Sequence, residues 1–596
     1  MIPDSIDAFI KSEESRYETD EISVGSNWRW NMRNHIQLIF HLKNGVFFTG
    51  QNNWLRAFKN IMEPILNLAD WMEDIEVKDI VFFIEGERGR ILSFLLKKYH
   101  DEVYVKDHDI DKMIDAITES DNAYGGVLLQ GTSKAVPEVV KLTQIAFCDQ
   151  TDILGSPIGL KFHFSPSTLR KFKKRGWGNE KNGATVSIEE LITLASFEKE
   201  PAGANEKANH VPGKTVELYI VRGDLPEHYL LDNGNMKDYY SQLHIVAYYT
   251  REKTEKQYGC LYRKREYEDT LKFHTSKEVD GRALGRGFGE MMLHPQIWTN
   301  FLAIHKMGFL ESASKVPLYT DDSAYANRNK IQDMENLEIT VIEEGKEIKQ
   351  VPTAAPVNVQ MISNAIAEWY DFAQLSGSAF DPLLGKGQPA GTTFRGQERV
   401  VAQGAGTHEK RRGQRAKFIE QIYRDWIIPD MLSEIFDGTE FLATLSSDEM
   451  AWVGEQLANN YATRRMIAAI LEGADPEEAE ALRQFFLEDF GRQGGRQMLK
   501  ILKNEFRDKN VKVGINIGSK QKDLAGLSDK LFSIIETAIA NPVNFEQAMK
   551  IPAFSKAFNT LVEYGGLNPA DFATIASAPI PSPLQAEMLQ TETKTA

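Results

Sequence analysis

Between residues 215 and 275 the spacing of apolar residues changes character. The runs TVELYIVRG, SQLHIVAYYTR, YGCLYRKREY and DTLKFHT alternate, and they are rich in β-branched and aromatic side chains. That is the pattern of strands with two faces. On either side the spacing is helical: Asn53 to Met72, Pro295 to Ser314, and MISNAIAEWYDFAQL from Met361. A compact block of strands set between helical stretches defines an α+β chain, mainly helical.

The punctuation supports this division. The segment EKEPAGANEKANHVPGK, about 200 to 214, is rich in Gly, Ala, Pro and Asn and marks a boundary before the strands. Pro64 is expected to break or kink the helix over 53–72. DIEVKDIVFFIEGERGRILSFLLKKY reads as a strand or helix running into an amphipathic helix that ends near His100. Residues 124–164 are strand-rich. Ser165 and Ser187 each start a short helix. Pro295 suits a first helical position, with a helix roughly 30 Å long behind it. LEITVIEEGKEIKQV reads as a hairpin-like pair of strands. A long helical segment runs from about Phe394 to Phe436. Its middle, QGAGTHEKRRGQRA, is polar on every side, which predicts a solvent-bridging or subunit-facing surface. Residues 441–508 read as helical hairpins, VKVGINIGS as a strand, and 523–540 and 552–564 as helices.

Composition narrows the function. The chain of 596 residues is long enough for several cores, about four domain-sized units. Its formal net charge is −16, whereas proteins that wrap DNA tightly are usually basic because phosphate neutralisation drives that binding. The balance suits a chain that stays soluble, or one that lets DNA slide past without holding it. Two cysteines, Cys148 and Cys260, cannot build a disulfide framework, and they suit a reducing compartment. The polar, acidic N-terminal stretch does not read as a signal peptide. No run reaches the ~18 apolar residues of a membrane span, so no membrane is expected.

Catalytic signatures fail one by one. In LLGKGQPAGTT, Gly385 and Gly391 are separated by five residues, and Thr392 stands where a phosphate-binding loop needs Lys. Gly285, Gly287 and Gly289 lack the full dinucleotide fingerprint. Asp107, Asp109 and Asp111 resemble the start of a calcium loop, but Lys112 and Thr118 occupy the positions of its Gly and Glu, so a capped helix start is the reading. The histidines are scattered. No catalytic residue, cofactor or metal site is expected, and the chain reads as a non-enzyme. Three basic patches remain: Lys171, Lys173, Lys174 and Arg175; Arg263, Lys264 and Arg265; and Arg395, Arg399, Lys410, Arg411, Arg412, Arg415 and Lys417. Solvated faces or inter-subunit salt bridges are the expected role of most, transient phosphate contact the alternative.

The order of segments resembles the portal proteins of tailed bacteriophages. GRGFGEMMLHPQIWTNFLAIHKMGFLESASKVPLY carries the likeness best. Portal chains return from the clip through a Gly-Arg-Gly segment into a stem helix bearing a Gln and an Asn. Gly285, Arg286, Gly287, Gln296 and Asn300 fill those places. WLRAFKNIMEPILNLADW resembles part of the wing, FHFSPSTLRKFKKRGWG the approach to the stem, and GTTFRGQERVVAQGAG the tunnel loop entering the long wing helix. VKVGINIGSKQKDLAGLSDKL resembles a C-terminal region of the family.

The resemblance implies a portal-type fold: wing over 1–165, stem helix region and linker 166–211, β-rich clip 212–275, return turn and stem helix 276–314, and second wing part 315–375. The tunnel loop spans 376–393, the long helix and helical wing or crown base 394–508, a crown-like region 509–575, and a disordered tail 576–596. It implies a ring of this same chain, about twelve copies in the family, at a capsid vertex of a virion assembled in the host bacterial cytoplasm. Double-stranded DNA would pass through the ring during packaging and ejection. Terminase and then neck or adaptor proteins would dock on the clip, where Arg263, Lys264 and Arg265 are the candidate contacts, and capsid protein would surround it. Lys386, Gln388, Thr392, Thr393 and Arg395 are the candidate DNA-facing residues. Another virion structural protein, such as a neck or internal component, and a DNA-packaging enzyme are the alternatives.

Overall fold

The structure is a computed structural model. It describes residues 4–25, 28–46, 58–84, 89–132, 135–196, 215–231, 234–251, 255–314, 318–319, 349–350, 356–379, 394–437, 453–454, 462–472 and 511–515, with 481, 482, 484, 485 and 488. Helix and sheet are mixed, with helix predominating. The chain forms two compact units. Unit 1 comprises 1–74, 114–131 and 138–415, and unit 2 comprises 75–113, 132–137 and 416–596.

In unit 1, α1 (Ile6–Thr19) begins where the Ser5 hydroxyl accepts the Ala8 N–H at 3.2 Å. β1 (Ile22–Val24) and β2 (Trp28–Trp30) form a small antiparallel ribbon. Asn31 then starts α2 (Met32–Lys43): its Oδ1 accepts the Asn34 N–H, while its Nδ2 donates to the Tyr17 and Asp20 carbonyls. α3 (Met62–Glu73) carries Pro64 in its first turn, so the expected kink is instead the helix start, where a missing N–H costs nothing.

β3 (Ile80–Ile84) and α4 (Gly89–Tyr99) belong to unit 2, as does α5 (Val105–His108). Asp109 follows α5 in the left-handed region at φ 52°, and α6 (Ile110–Tyr124) begins behind it. α6 carries the chain from unit 2 into unit 1.

The next strands are β4 (Val127–Thr132), β5 (Ala135–Val140), β6 (Ile145–Phe147), β7 (Ile158–Phe164), β8 (Val216–Pro226), β9 (Tyr239–Arg251), β10 (Glu255–Arg265) and β11 (Leu271–His274), all in unit 1 except residues 132 and 135–137. A five-stranded antiparallel sheet has the order β10-β9-β8-β7-β6. Leu218 pairs with Ala247, Ile158 with Arg222 and Phe164 with Val216. The strands of 212–275 therefore do not make a sheet alone. β8 would leave an open edge, and β7 covers it; β11 pairs with β4. Leu160, Leu218, Val246 and Leu261 are buried together with Ile10, Phe147, Leu169 and Leu191. The last two lie on α7 (Pro166–Phe172), capped by Ser165, and α8 (Ile188–Ser196), whose start Ser187 caps through the Glu190 N–H. The described part of this stretch, 166–196, thus holds the two short helices that Ser165 and Ser187 announce.

α9 (Phe288–Ser314) contains Pro295 rather than starting at it. The N-terminus lies seven residues earlier because Gly287 is locked against the end of α6 and Phe288 is buried with Leu42, Met62 and Ile65 of α2 and α3. At 27 residues the helix is about 40 Å long. β12 (Leu318–Tyr319) pairs with β13 (Lys349–Gln350). The hairpin expected within 337–351 otherwise lies outside the described residues. α10 (Pro356–Ser376) packs along α9. α11 (Phe394–Ile422), a π-helical turn at Tyr423–Ile427 and α12 (Ile428–Asp437) form the long helical segment predicted over 394–436.

In unit 2, β14 (Val511–Ile515) forms the strand that its alternation predicts, antiparallel to β3 with Val513 opposite Phe82. Most of the expected hairpins at 441–508, the helices at 523–540 and 552–564, and the tail lie outside the described residues. Among the described residues no helix is long and apolar enough to cross a membrane.

Candidate functional site: a glycine–arginine corner over a buried charge cluster

The Gly-Arg-Gly segment turns against the C-terminus of α6. The Gly285 N–H donates to the Gly125 carbonyl at 3.0 Å. Gly125 has φ +81°, and a Cβ on it would stand 2.4 Å from the Gly285 oxygen. A Cβ on Gly287 would meet the Gly125 nitrogen at 2.5 Å. Only glycines permit this approach. Arg286 between them is exposed; its N–H donates to the Lys277 carbonyl at 2.8 Å, and its own carbonyl accepts from Arg411 at 3.2 Å. The corner therefore presents one guanidinium outward on a fixed backbone.

Beneath it lies a charge cluster within unit 1. α11 sends His408, Arg411 and Arg415 inward at i, i+3 and i+7, one face of the helix. Arg415 Nη2 donates to Glu73 Oε2 at 2.9 Å, Asp121 Oδ2 at 2.7 Å and Asn122 Oδ1 at 2.8 Å, and Nη1 reaches the Glu73 carbonyl at 3.2 Å. His408 Nδ1 lies 2.9 Å from Glu73 Oε1, and Arg411 Nε 3.4 Å from the same oxygen. The Ser276 N–H and hydroxyl donate to Asp121. The Phe288 ring lies against the Arg411 guanidinium at 4.6 Å and the His408 imidazole at 5.3 Å.

Burial alone would raise the Asp121 carboxyl. Arg415 and Arg411 outweigh it and bring the pKa down to about 2. Asp70, which accepts from Asn122 Nδ2 at 2.9 Å, lies on the other side of that balance: burial pushes it up to about 6 against the Asn122 hydrogen bond and Lys43. The carboxylates of Glu73 and Asp121 are engaged by guanidinium, imidazole or hydroxyl groups. The arrangement ties α3, α6, the α9 start and α11 together; its geometry is that of a lock.

This corrects the expectation for the third basic patch. Arg411, Arg412 and Arg415 are buried, not solvated or subunit-facing, while Lys410 and Lys417 are exposed. The helix reads as polar all round because the counter-charges Glu73 and Asp121 lie about three hundred residues away in sequence. No local pattern marks Glu73 and Asp121 as their partners, or Ser276 and His408 as further members of the cluster.

Gln296 and Asn300 are fully buried. Gln296 Oε1 accepts the Ile61 and Met62 N–H groups at 2.8 and 3.0 Å, and its Nε2 donates to the Lys59 carbonyl at 2.8 Å. Asn300 Oδ1 accepts the Lys59 N–H at 3.2 Å. These two side chains cap α3, which lacks a cap of its own because Ile61 occupies that position. Gly285, Arg286 and Gly287 thus stand at the start of α9 beside the charge cluster, and Gln296 and Asn300 lie further along its N-terminal half, against the start of α3.

The other sequence-derived candidates lie elsewhere. Arg263, Lys264 and Arg265 stand on β10, an edge strand, opposite His244, Leu243 and Gln242. Lys264 and Arg265 are exposed, and the Arg265 guanidinium lies 3.9 Å from the Tyr240 ring centre. In the first patch Lys173 pairs with Glu189 at 2.5 Å on an exposed surface, the solvated face expected there. Lys386, Gln388, Thr392 and Thr393 lie outside the described residues. The Arg395 backbone falls in the first turn of α11, and its side chain is outside the described set.

No family model and no curated protein matches this chain. Solved structures give distant likenesses. A chain of the virion of a native gene transfer agent particle matches at 8% identity and TM-score 0.31, over 71% of this chain and 86% of that one. A chain from the neck of an empty gene transfer agent particle, computed with C6 symmetry, matches at 9% identity and TM-score 0.34, over 79% and 98%.

Proposed function

We propose that this chain is a structural subunit of a portal-type ring at a capsid vertex, a channel for DNA and a docking platform for packaging and then neck proteins. The sequence resemblance supplies the reading. The observation that carries it furthest is an aromatic and aliphatic face left open on the α9–α10 pair. Trp298 and Phe301 are 50% and 49% exposed on α9, and Met361 and Leu375 are 64% and 65% exposed on α10. Trp298 stacks on Trp369 across the two helices, with centroids 6.3 Å apart and planes within 8°. Clustered apolar exposure of this kind marks an association surface. It lies on the helix that the Gly285–Gly287 corner feeds, the helix the resemblance names as the stem. A closed ring buries such a face against the next copy.

The segments keep their proposed roles: 212–275 as the partner-docking region with Arg263, Lys264 and Arg265 on its edge strand, and 376–393 as the loop facing DNA, with Lys386, Gln388, Thr392, Thr393 and Arg395. The exposed Arg286 is a further point of phosphate or inter-subunit contact. The double variant Trp298→Lys/Phe301→Lys tests the reading through native mass. Wild-type chain is expected to run as a multimer of defined size, and the variant as a monomer with an unchanged circular-dichroism spectrum. A wild-type monomer at every concentration would contradict the proposal.

A further inference from the structure

Unit 2 holds a second constellation, independent of the ring. His108 is the last residue of α5. Asp430 and Glu434 lie one turn apart on a single face of α12. One ligand-type atom from each of the three lies within 4.8 Å of the others. His108 Nε2 stands 2.9 Å from Glu434 Oε1. Two atoms at that separation, each about 2.0–2.2 Å from a metal ion, subtend roughly a right angle at it, the angle of neighbouring ligands in octahedral coordination.

The outer partners are also in place. The Tyr104 hydroxyl donates to Asp430 Oδ2 at 2.9 Å, and the Tyr99 hydroxyl donates to Glu434 Oε2 at 3.2 Å. Each carboxylate therefore has one oxygen fixed by a phenol, the way outer-shell donors orient metal ligands. The Tyr104 ring lies 4.4 Å from the His108 imidazole and limits that ring's rotation. Asp430 is buried, whereas the His108 and Glu434 side chains are 30% and 36% exposed, which leaves an entry path and room for water ligands.

We infer that His108, Asp430 and Glu434 bind one divalent ion of the zinc, cobalt and manganese class, which ties α5 to α12 within unit 2. The imidazole excludes a preference for magnesium or calcium, whose ligand sets are oxygen only. Two carboxylates balance the charge of the ion, and the role is a structural clamp.

The test uses the untagged full-length chain, stripped with chelator and then titrated with cobalt(II) chloride. The expected result is one cobalt per chain, with visible ligand-field bands that zinc chloride abolishes and magnesium chloride does not. His108→Ala and Glu434→Gln are expected to weaken binding at least a hundredfold. Tyr104→Phe retains all three ligands and is expected to weaken it about tenfold. Circular dichroism of each variant separates lost ligation from lost folding. Absence of stoichiometric cobalt uptake by the wild-type chain would overturn the inference. So would equal uptake by folded His108→Ala or Glu434→Gln, and the trio would then be an ion pair and hydrogen-bond set only.

Discussion

Arg415 holds the buried charge cluster of unit 1 together. Its guanidinium has no exposure and serves two carboxylates and two amide oxygens at once. Arg415→Met would leave Glu73 and Asp121 facing each other in a dry interior, at a cost of about 3–5 kcal/mol. The measurable result is a lower denaturation midpoint for unit 1, with little recovery in Arg415→Lys, whose single ammonium cannot span the same acceptors. The cluster also sets a pH dependence. Asp121 falls to about 2 in the folded chain against about 3.9 unfolded, so its contribution is complete above pH ~4 and disappears as pH drops toward 2. Asp70 acts in the opposite sense. Raised to about 6, it favours the folded state while protonated, and that advantage is lost as pH rises from about 4 to 6. Urea midpoints against pH are expected to show Asp70→Asn flattening the profile between 4 and 6, and Asp121→Asn flattening it below 4.

At the scale of elements, three glycines and two amides decide how α9 meets its neighbours. Gly125→Ala is expected to be severely destabilising, because backbone atoms rather than a side-chain tip block the new methyl and φ is positive. Gly308→Ala, in open space on the exposed surface of α9, is expected to raise the unfolding free energy by about 0.5–1 kcal/mol through helix propensity alone. Gln296→Leu removes three hydrogen bonds and uncaps α3, at about 2–4 kcal/mol. Much of this level is legible in the chain itself. Alternation marks β8 to β11 and β14; Ser165 and Ser187 announce α7 and α8; the run from Phe394 is one helical segment. Boundaries set by tertiary packing are not legible. Pro295 looks like a helix start until the Gly287 approach to α6 is known, and Pro64 looks like a kink until α3 is seen to begin beside it. The charge cluster was hidden for a further reason. A buried arginine and a solvated one have the same sequence signature, and what separates them is a carboxylate placed by another part of the fold.

For the whole molecule, the central claim is a ring that passes DNA without gripping it. A net charge of −16 opposes tight phosphate binding. Duplex DNA is therefore expected to bind the purified chain weakly, and steeply less so with salt, in a filter-binding assay between 50 and 200 mM sodium chloride. The open faces of α9 and α10 point to association of the chain with itself. Electron microscopy of the purified full-length protein tests the claim most directly. The account predicts closed rings of uniform subunit number around a channel about the width of a DNA duplex. A population of compact monomers or open filaments, unchanged by protein concentration, would contradict it.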